Sequence, residues 1–198
     1  MIIGSKIGTR FTNASLKTCR IDDTNKTAIG YAKQLIAGEI DGLILRGPVG
    51  TGKTHIMLAA LNDIQAAHES QYVVDDSGME SYTPFHEYVY WKAPEFASEI
   101  RKSVRNETAD PTGYAMRAEV LFIDDLGTEY EKVGSDFIWT AFQAIFDYRW
   151  ENMLPIMVTT NMAAPELAKR YGDRVLSRWR GSCKMLALSG DDRRKEAK

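Results

Sequence analysis

The stretch Gly42-Leu43-Ile44-Leu45-Arg46-Gly47-Pro48-Val49-Gly50-Thr51-Gly52-Lys53-Thr54 decides how this chain folds. Its opening residues are a short apolar run, as expected of a strand buried on both faces. From Lys53 to Ala67, Met57, Ala60, Leu61 and Ile64 recur at helical spacing. Between strand and helix, residues 47–54 fit the pattern G-x-x-x-x-G-K-[ST]. The glycines let the backbone curl so that successive N–H groups point inward at phosphate oxygens. The N-terminus of the following helix adds its partial positive charge. Lys53 brings a point charge to the β- and γ-phosphates, and the Thr54 hydroxyl is placed to ligate Mg²⁺. Gly47, Pro48, Val49, Gly50, Thr51, Gly52, Lys53 and Thr54 are therefore the expected nucleotide cradle.

Further strands and helices follow on either side. Residues 28–40 carry Ile29, Ala32, Ile36 and Ile40 near one stripe and predict a helix. Tyr88–Trp91 reads as a strand by its aromatic and β-branched content, Val120–Ile123 is another apolar run, and Ile156–Thr159 and Lys184–Leu188 read as a fourth and a fifth strand. Pro94 opens a helix to about Arg105, and residues 106–114 read as a loop. A helix from Ser135 to Trp150 is capped by Ser135, and Trp139, Phe142, Ile145 and Phe146 on it read as core. Pro165 opens a short helix that Gly172 ends, and Asp173 is expected to cap the next one, through Trp179. Alternating strands and helices predict an α/β fold with a five-stranded parallel sheet flanked by helices. Residues 69–86 are polar, acidic and without a clear period, which predicts a surface insertion or a mobile loop.

Three more constellations bear on chemistry. Asp124-Asp125 ends one apolar strand, where ligands meet a parallel sheet. Asp124 is assigned to the metal and Asp125 to orienting an attacking water. Thr160-Asn161 ends a neighbouring strand, and Asn161 can reach the γ-phosphate or that water. Arg174 and Arg178 lie four apart on one helix and share a face. A guanidinium presented to a γ-phosphate stabilises transition-state charge and can be supplied by another chain.

Composition bounds the class. The 198 residues, 44% of them hydrophobic, suffice for one core and one domain. No apolar run approaches the roughly 20 residues that span a bilayer. The first 20 residues lack the apolar segment of a secretory signal, so no membrane or export role is expected. Cys19 and Cys183 form neither a CxxC pair nor a zinc spacing, which suits a reducing cytoplasm. The net charge of -2 excludes a generally basic nucleic-acid coat, but charge is uneven: residues 1–20 hold Lys6, Arg10, Lys17 and Arg20 without an acid.

GPVGTGKT, VLFIDDLG, PIMVTTN and GDRVLSRW, in this order, resemble the AAA+ module of the DnaC/DnaI-type replicative helicase loaders, with the IstB transposition ATPases related. The opening RFTNASL is similar to the segment that leads into that module. The resemblance covers about residues 8–195. It implies a P-loop AAA+ domain at 28–198, a basic lead-in at 1–27, and no large C-terminal lid. By the same resemblance, Asn161 matches sensor 1, Arg178 the arginine finger acting on a neighbouring subunit, Arg174 its companion, and Arg194 (or Arg193) the sensor-2 arginine. It also implies ATP and Mg²⁺ as cofactors, a replicative helicase or related replication protein as partner, homo-oligomerisation with ATP, and single-stranded DNA bound by the helix carrying Arg101, Lys102 and Arg105. The loaders usually carry a separate N-terminal domain that grips the helicase, so the family contact is expected here to move to the first 20 residues or to another protein. The compact size suits a phage or mobile element. Three other readings stay open: an IstB-like transposition helper, a non-hydrolysing nucleotide-dependent adaptor, and a small-molecule kinase.

Overall fold

The computed structural model describes residues 2–69, 87–105, 108–129, 136–190 and 192–193. The expected insertion (apart from Glu69), Arg194 and the expected cap Ser135 lie outside the described residues. The elements run β1 (Ile2–Gly4), a 3-10 turn (Thr9–Phe11), α1 (Lys26–Ile36), β2 (Gly42–Arg46), α2 (Lys53–Glu69), β3 (Tyr88–Lys92), α3 (Ala93–Val104), α4 (Pro111–Arg117), β4 (Val120–Leu126), α5 (Asp136–Glu151), β5 (Ile156–Thr160), α6 (Ala164–Tyr171), α7 (Asp173–Ser182) and β6 (Lys184–Ala187).

The sheet is parallel throughout, in the order β1-β3-β4-β5-β2-β6. It has six strands where the sequence predicts five. The extra one, β1, pairs with β3 from Ile2↔Tyr88 to Gly4↔Tyr90. Three residues are too few to display a period, so the strand leaves no pattern to read. Helix α4 is a second correction, since it begins inside the stretch read as a loop. The Asp110 side chain accepts from Thr112 N at 2.9 Å and Pro111 occupies the first turn, both helix-start features. Gly113, a poor helix former, hides them in the sequence.

Strand alternation divides the core. Ile44, Val89, Leu121, Ile123 and Val158 face a cluster with Phe96, Phe142, Phe146 and Trp179 from α3, α5 and α7. Leu43, Leu45, Tyr90, Phe122 and Met157 face the opposite cluster with Leu35, Met57 and Leu61 from α1 and α2. Successive residues thus serve opposite layers, as the period of two requires.

One buried cation ties the lower end of the sheet together. Arg149 is 1% exposed and donates to the carbonyls of Ala115, Met116, Ala118 and Pro155. Burial pushes its pKa down to about 9. The last carbonyls of α4 lack helical partners, so the guanidinium satisfies them and locks α4 to α5 and the start of β5.

Candidate functional site

The site forms where β2, β4 and β5 end at one edge of the sheet. Leaving β2, the chain passes through Gly47, Gly50 and Gly52 at φ of +139°, +87° and +93°. A side chain at Gly47 would collide with the Leu188 carbonyl oxygen, and one at Gly50 with Asp192. Lys53 Nζ donates to the carbonyls of Gly47 and Pro48, each at 2.7 Å, and the Thr51 hydroxyl donates to Pro48 O at 2.9 Å. The ammonium therefore sits inside the curl of the loop, where a phosphate would meet it.

The acidic pair is positioned by a β-bulge. Ile123 pairs with Val158 and Leu126 with Thr160, so Asp124 and Asp125 together oppose Thr159 alone. Asp125 adopts φ 54°, a conformation that Asp tolerates better than most residues. The bulge re-aims consecutive carboxylates that a regular strand would send to opposite faces. Asp124 is buried and accepts from Thr54 Oγ1 at 2.9 Å, while Asp125 lines the open cleft. Thr159 links them: its hydroxyl donates to Asp124 Oδ1 and accepts from Asp125 N at 2.9 Å. Burial raises the Asp124 carboxyl above its usual range, opposed by the bonds from Thr159 and Thr54.

The cleft has a volume of about 500 Å³, within the range of ligand pockets. Val49, Gly50, Gly52, Lys53, Thr54, Asp125 and Asn161 line its phosphate-loop end, so residues of the predicted cradle meet Asp125 and Asn161 in one place. The far end is built from Arg10, Phe11, Thr18, Cys19, Arg20 and Asn25, with His55 and Ile56 from α2. Burial lowers the His55 pKa, with Arg10 and then Arg193 adding to the effect. Arg193 also lines the cleft. It donates to Asp22 Oδ2 at 2.6 Å and Thr24 Oγ1 at 2.7 Å, and its N–H donates to Gly50 O at 3.1 Å.

The other predicted residues stand elsewhere. Arg174 and Arg178 project from α7 and both pair with Asp147 of α5; Arg178 also reaches Glu151 at 3.6 Å and lies 4.3 Å over the Trp150 ring. Neither lines the cleft. Arg101, Lys102 and Arg105 lie at the end of α3, whose Phe96 and Ile100 are buried. Lys102 pairs with Glu99 at 2.6 Å, and Arg105 is an exposed C-cap.

Sequence reasoning missed Thr159 and the far wall of the cleft. A threonine entering an apolar strand run was the available signal for the first. The second carried no periodic signal, since residues 10–25 are mostly turns.

A metal, if held, depends on few protein groups. Among the described residues no cluster of three or more His, Cys, Asp or Glu is placed to bind one. Thr54 Oγ1 and Asp124 Oδ1 form an all-oxygen donor pair beside the phosphate loop. That fits Mg²⁺, which takes one or two protein ligands and completes its shell with water and substrate phosphate. No described helix is long and apolar enough to cross a membrane.

No protein-family model matches the chain. Sequence comparison aligns it with the replicative helicase loader DnaI of Bacillus subtilis, 27% identical over 137 residues, covering 68% of this chain and 37% of that protein. DnaC, the replicative helicase loader of Escherichia coli K12, is 23% identical over 175 residues, covering 85% of this chain and 63% of DnaC. The homologues are helicase loaders of the DnaC/DnaI type. The chain spans less than two thirds of the length of these relatives. A crystal structure of DnaI superposes on 97% of this chain at TM-score 0.72 and 23% identity, covering 96% of that chain. The replication initiator DnaA bound to AMPPCP and single-stranded DNA superposes at TM-score 0.69 and 20% identity, over 93% of this chain and 51% of that one. The fold is therefore that of the P-loop AAA+ domains.

Proposed function

We propose that this chain binds and hydrolyses ATP and acts in DNA replication as a helicase-loader-like factor, with its ATP site completed by a second copy. One observation carries the reading: a phosphate loop, the Thr54–Asp124 pair, Asp125 and Asn161 converge on one cleft, while the Arg174/Arg178 pair stands on a separate helix outside it. Lys53 exchanges its loop carbonyls for phosphate oxygens. Backbone N–H groups of residues 49–54 cradle the triphosphate. Thr54 and Asp124 would hold Mg²⁺, which neutralises charge on the β- and γ-phosphates. Asp125 accepts a proton from, and orients, the attacking water, and Asn161 positions the γ-phosphate. Arg193, already in the cleft, serves as the sensor-2 cation, the alternative to Arg194. Arg178, with Arg174 beside it, leaves Asp147 to meet the γ-phosphate of an adjacent protomer. Arg101, Lys102 and Arg105 contact single-stranded DNA, and the partner is a replicative helicase in the cytoplasm. The names of the DnaI and DnaC relatives and the nucleotide and DNA of the DnaA neighbour support this assignment.

Calorimetry and steady-state hydrolysis test it. Titration with Mg-ATP is expected to release heat with the parent chain and with Asp125→Asn, but not with Lys53→Ala. Turnover per subunit is expected to climb with protein concentration and to fall roughly 10³-fold in Arg178→Ala. Absence of binding heat, or a rate independent of concentration, overturns the reading.

A further inference from the structure

Glu129 is a charged side chain with no place in the nucleotide cleft, yet it is almost fully buried, its side chain only 1% exposed. A carboxylate leaves water at high cost unless its oxygens are hydrogen-bonded. Here they are. Oε2 accepts from Gly127 N at 2.9 Å; Oε1 accepts from Arg170 Nε at 3.0 Å and from the Tyr171 hydroxyl. The main-chain oxygen of Glu129 accepts from Arg170 Nη2 at 3.0 Å.

The two ends of this clamp have different owners. At one end is the turn that leaves the bulge: the Thr128 N–H and hydroxyl both donate to the Asp125 carbonyl, at 3.2 and 2.7 Å. At the other end are the last two residues of α6. The Tyr171 carbonyl accepts from Gln143 Nε2 of α5 at 2.8 Å. A single residue, Gly172 at φ 93°, then separates α6 from α7, the helix of Arg174 and Arg178. From the turn after Asp125 to the arginines of α7, each link is a hydrogen bond or a peptide bond.

We propose that Glu129 is a positioning residue that couples the Asp125 turn to helix α7, so that the state of a protomer's own nucleotide site sets the placement of the Arg174/Arg178 pair it presents to its neighbour. This rests on the shared-site reading given above. An apolar contact at this point would tolerate sliding; hydrogen bonds to a buried carboxylate are directional and transmit a displacement of the turn to α6. Adjacency by itself is not coupling, so the test asks whether breaking the clamp is cured by arginines lent from another subunit.

The full chain is assayed with Mg-ATP at concentrations where turnover per subunit has reached its plateau. Tyr171→Phe removes one hydroxyl and keeps the ring against Phe142 and Phe146; Glu129→Gln removes the charge. Each is expected to lower turnover by about 10-fold to 100-fold, the scale of a small misplacement of a catalytic group, with ATP affinity by calorimetry unchanged. Equimolar mixing with Asp125→Asn is expected to restore turnover, because that subunit lends correctly placed arginines to the intact site of the variant. Arg178→Ala, mixed in the same way, is the reference. Parental turnover in Tyr171→Phe, or a loss that mixing does not restore while Arg178→Ala is restored, overturns the coupling alone. Parental turnover in Arg178→Ala overturns the shared site and the coupling with it. If Glu129→Gln does not fold, Tyr171→Phe decides.

Discussion

A single hydroxyl, that of Thr159, donates to the Asp124 carboxylate and accepts from the Asp125 N–H, closing the two-against-one bulge. Replacement by valine keeps the shape and removes both bonds, leaving a buried charge less well satisfied; a loss of about 2 kcal/mol at neutral pH is expected. The pH dependence has a definite sign. Burial raises the Asp124 carboxyl, and the Thr159 bond opposes that rise. A carboxyl with a raised folded pKa favours the folded state while protonated and weakens it as pH climbs through that pKa. Without the hydroxyl the pKa rises further, so the Tm deficit of Thr159→Val is expected to be smaller at about pH 4 than at about pH 7, the lost Asp125 N–H bond contributing at both. Thermal melts at both values check this, with Thr159→Ser as the rescue; an equal deficit at both contradicts it.

Asn62 of α2 joins two elements that the chain keeps far apart. Its Nδ2 donates to the carbonyls of Phe11 and Ala14 at 2.9 Å and of Thr12 at 3.3 Å, while Asp63 accepts from Leu16 N at 3.0 Å. These bonds hold the segment that supplies Arg10, Phe11 and Cys19 to the far end of the cleft. Asn62→Ala leaves that segment tethered mainly by Asp63 and by burial of Ala14 and Leu16. A stability loss of about 1–2 kcal/mol is expected, together with weaker ATP binding read by calorimetry. Unchanged affinity would show that the far wall does not touch the nucleotide.

At the scale of the whole molecule, the strand order places β5 between β2 and β4, so Asn161 emerges between the phosphate loop and the acidic pair. The helix α3 that carries Arg101, Lys102 and Arg105 lies against the other layer of the core. If these three cations contact phosphates of single-stranded DNA, replacing all three by alanine flattens the slope of log K against log salt by about 2. Anisotropy of a labelled oligonucleotide across a salt series measures the slope, and an unaltered slope assigns the contact elsewhere.

The eight residues from Gly47 to Thr54 were legible by themselves, because their conformation follows from local glycine freedom and the strand and helix that flank them. The apolar runs likewise announced five strands, and carboxylates at the end of one of them pointed to the site. Proximity across the chain was decided by tertiary structure alone. Arg193 meets Asp22 across 171 positions of sequence, Thr159 reaches Asp124 across 35, and Tyr171 reaches Glu129 across 42. The edge strand β1 exists only because β3 offers it a partner. Backbone conformation is set within a few residues and leaves its mark on composition and spacing. Which side chains then share a hydrogen bond depends on how the sheet and its two helical layers close, and no local pattern records that.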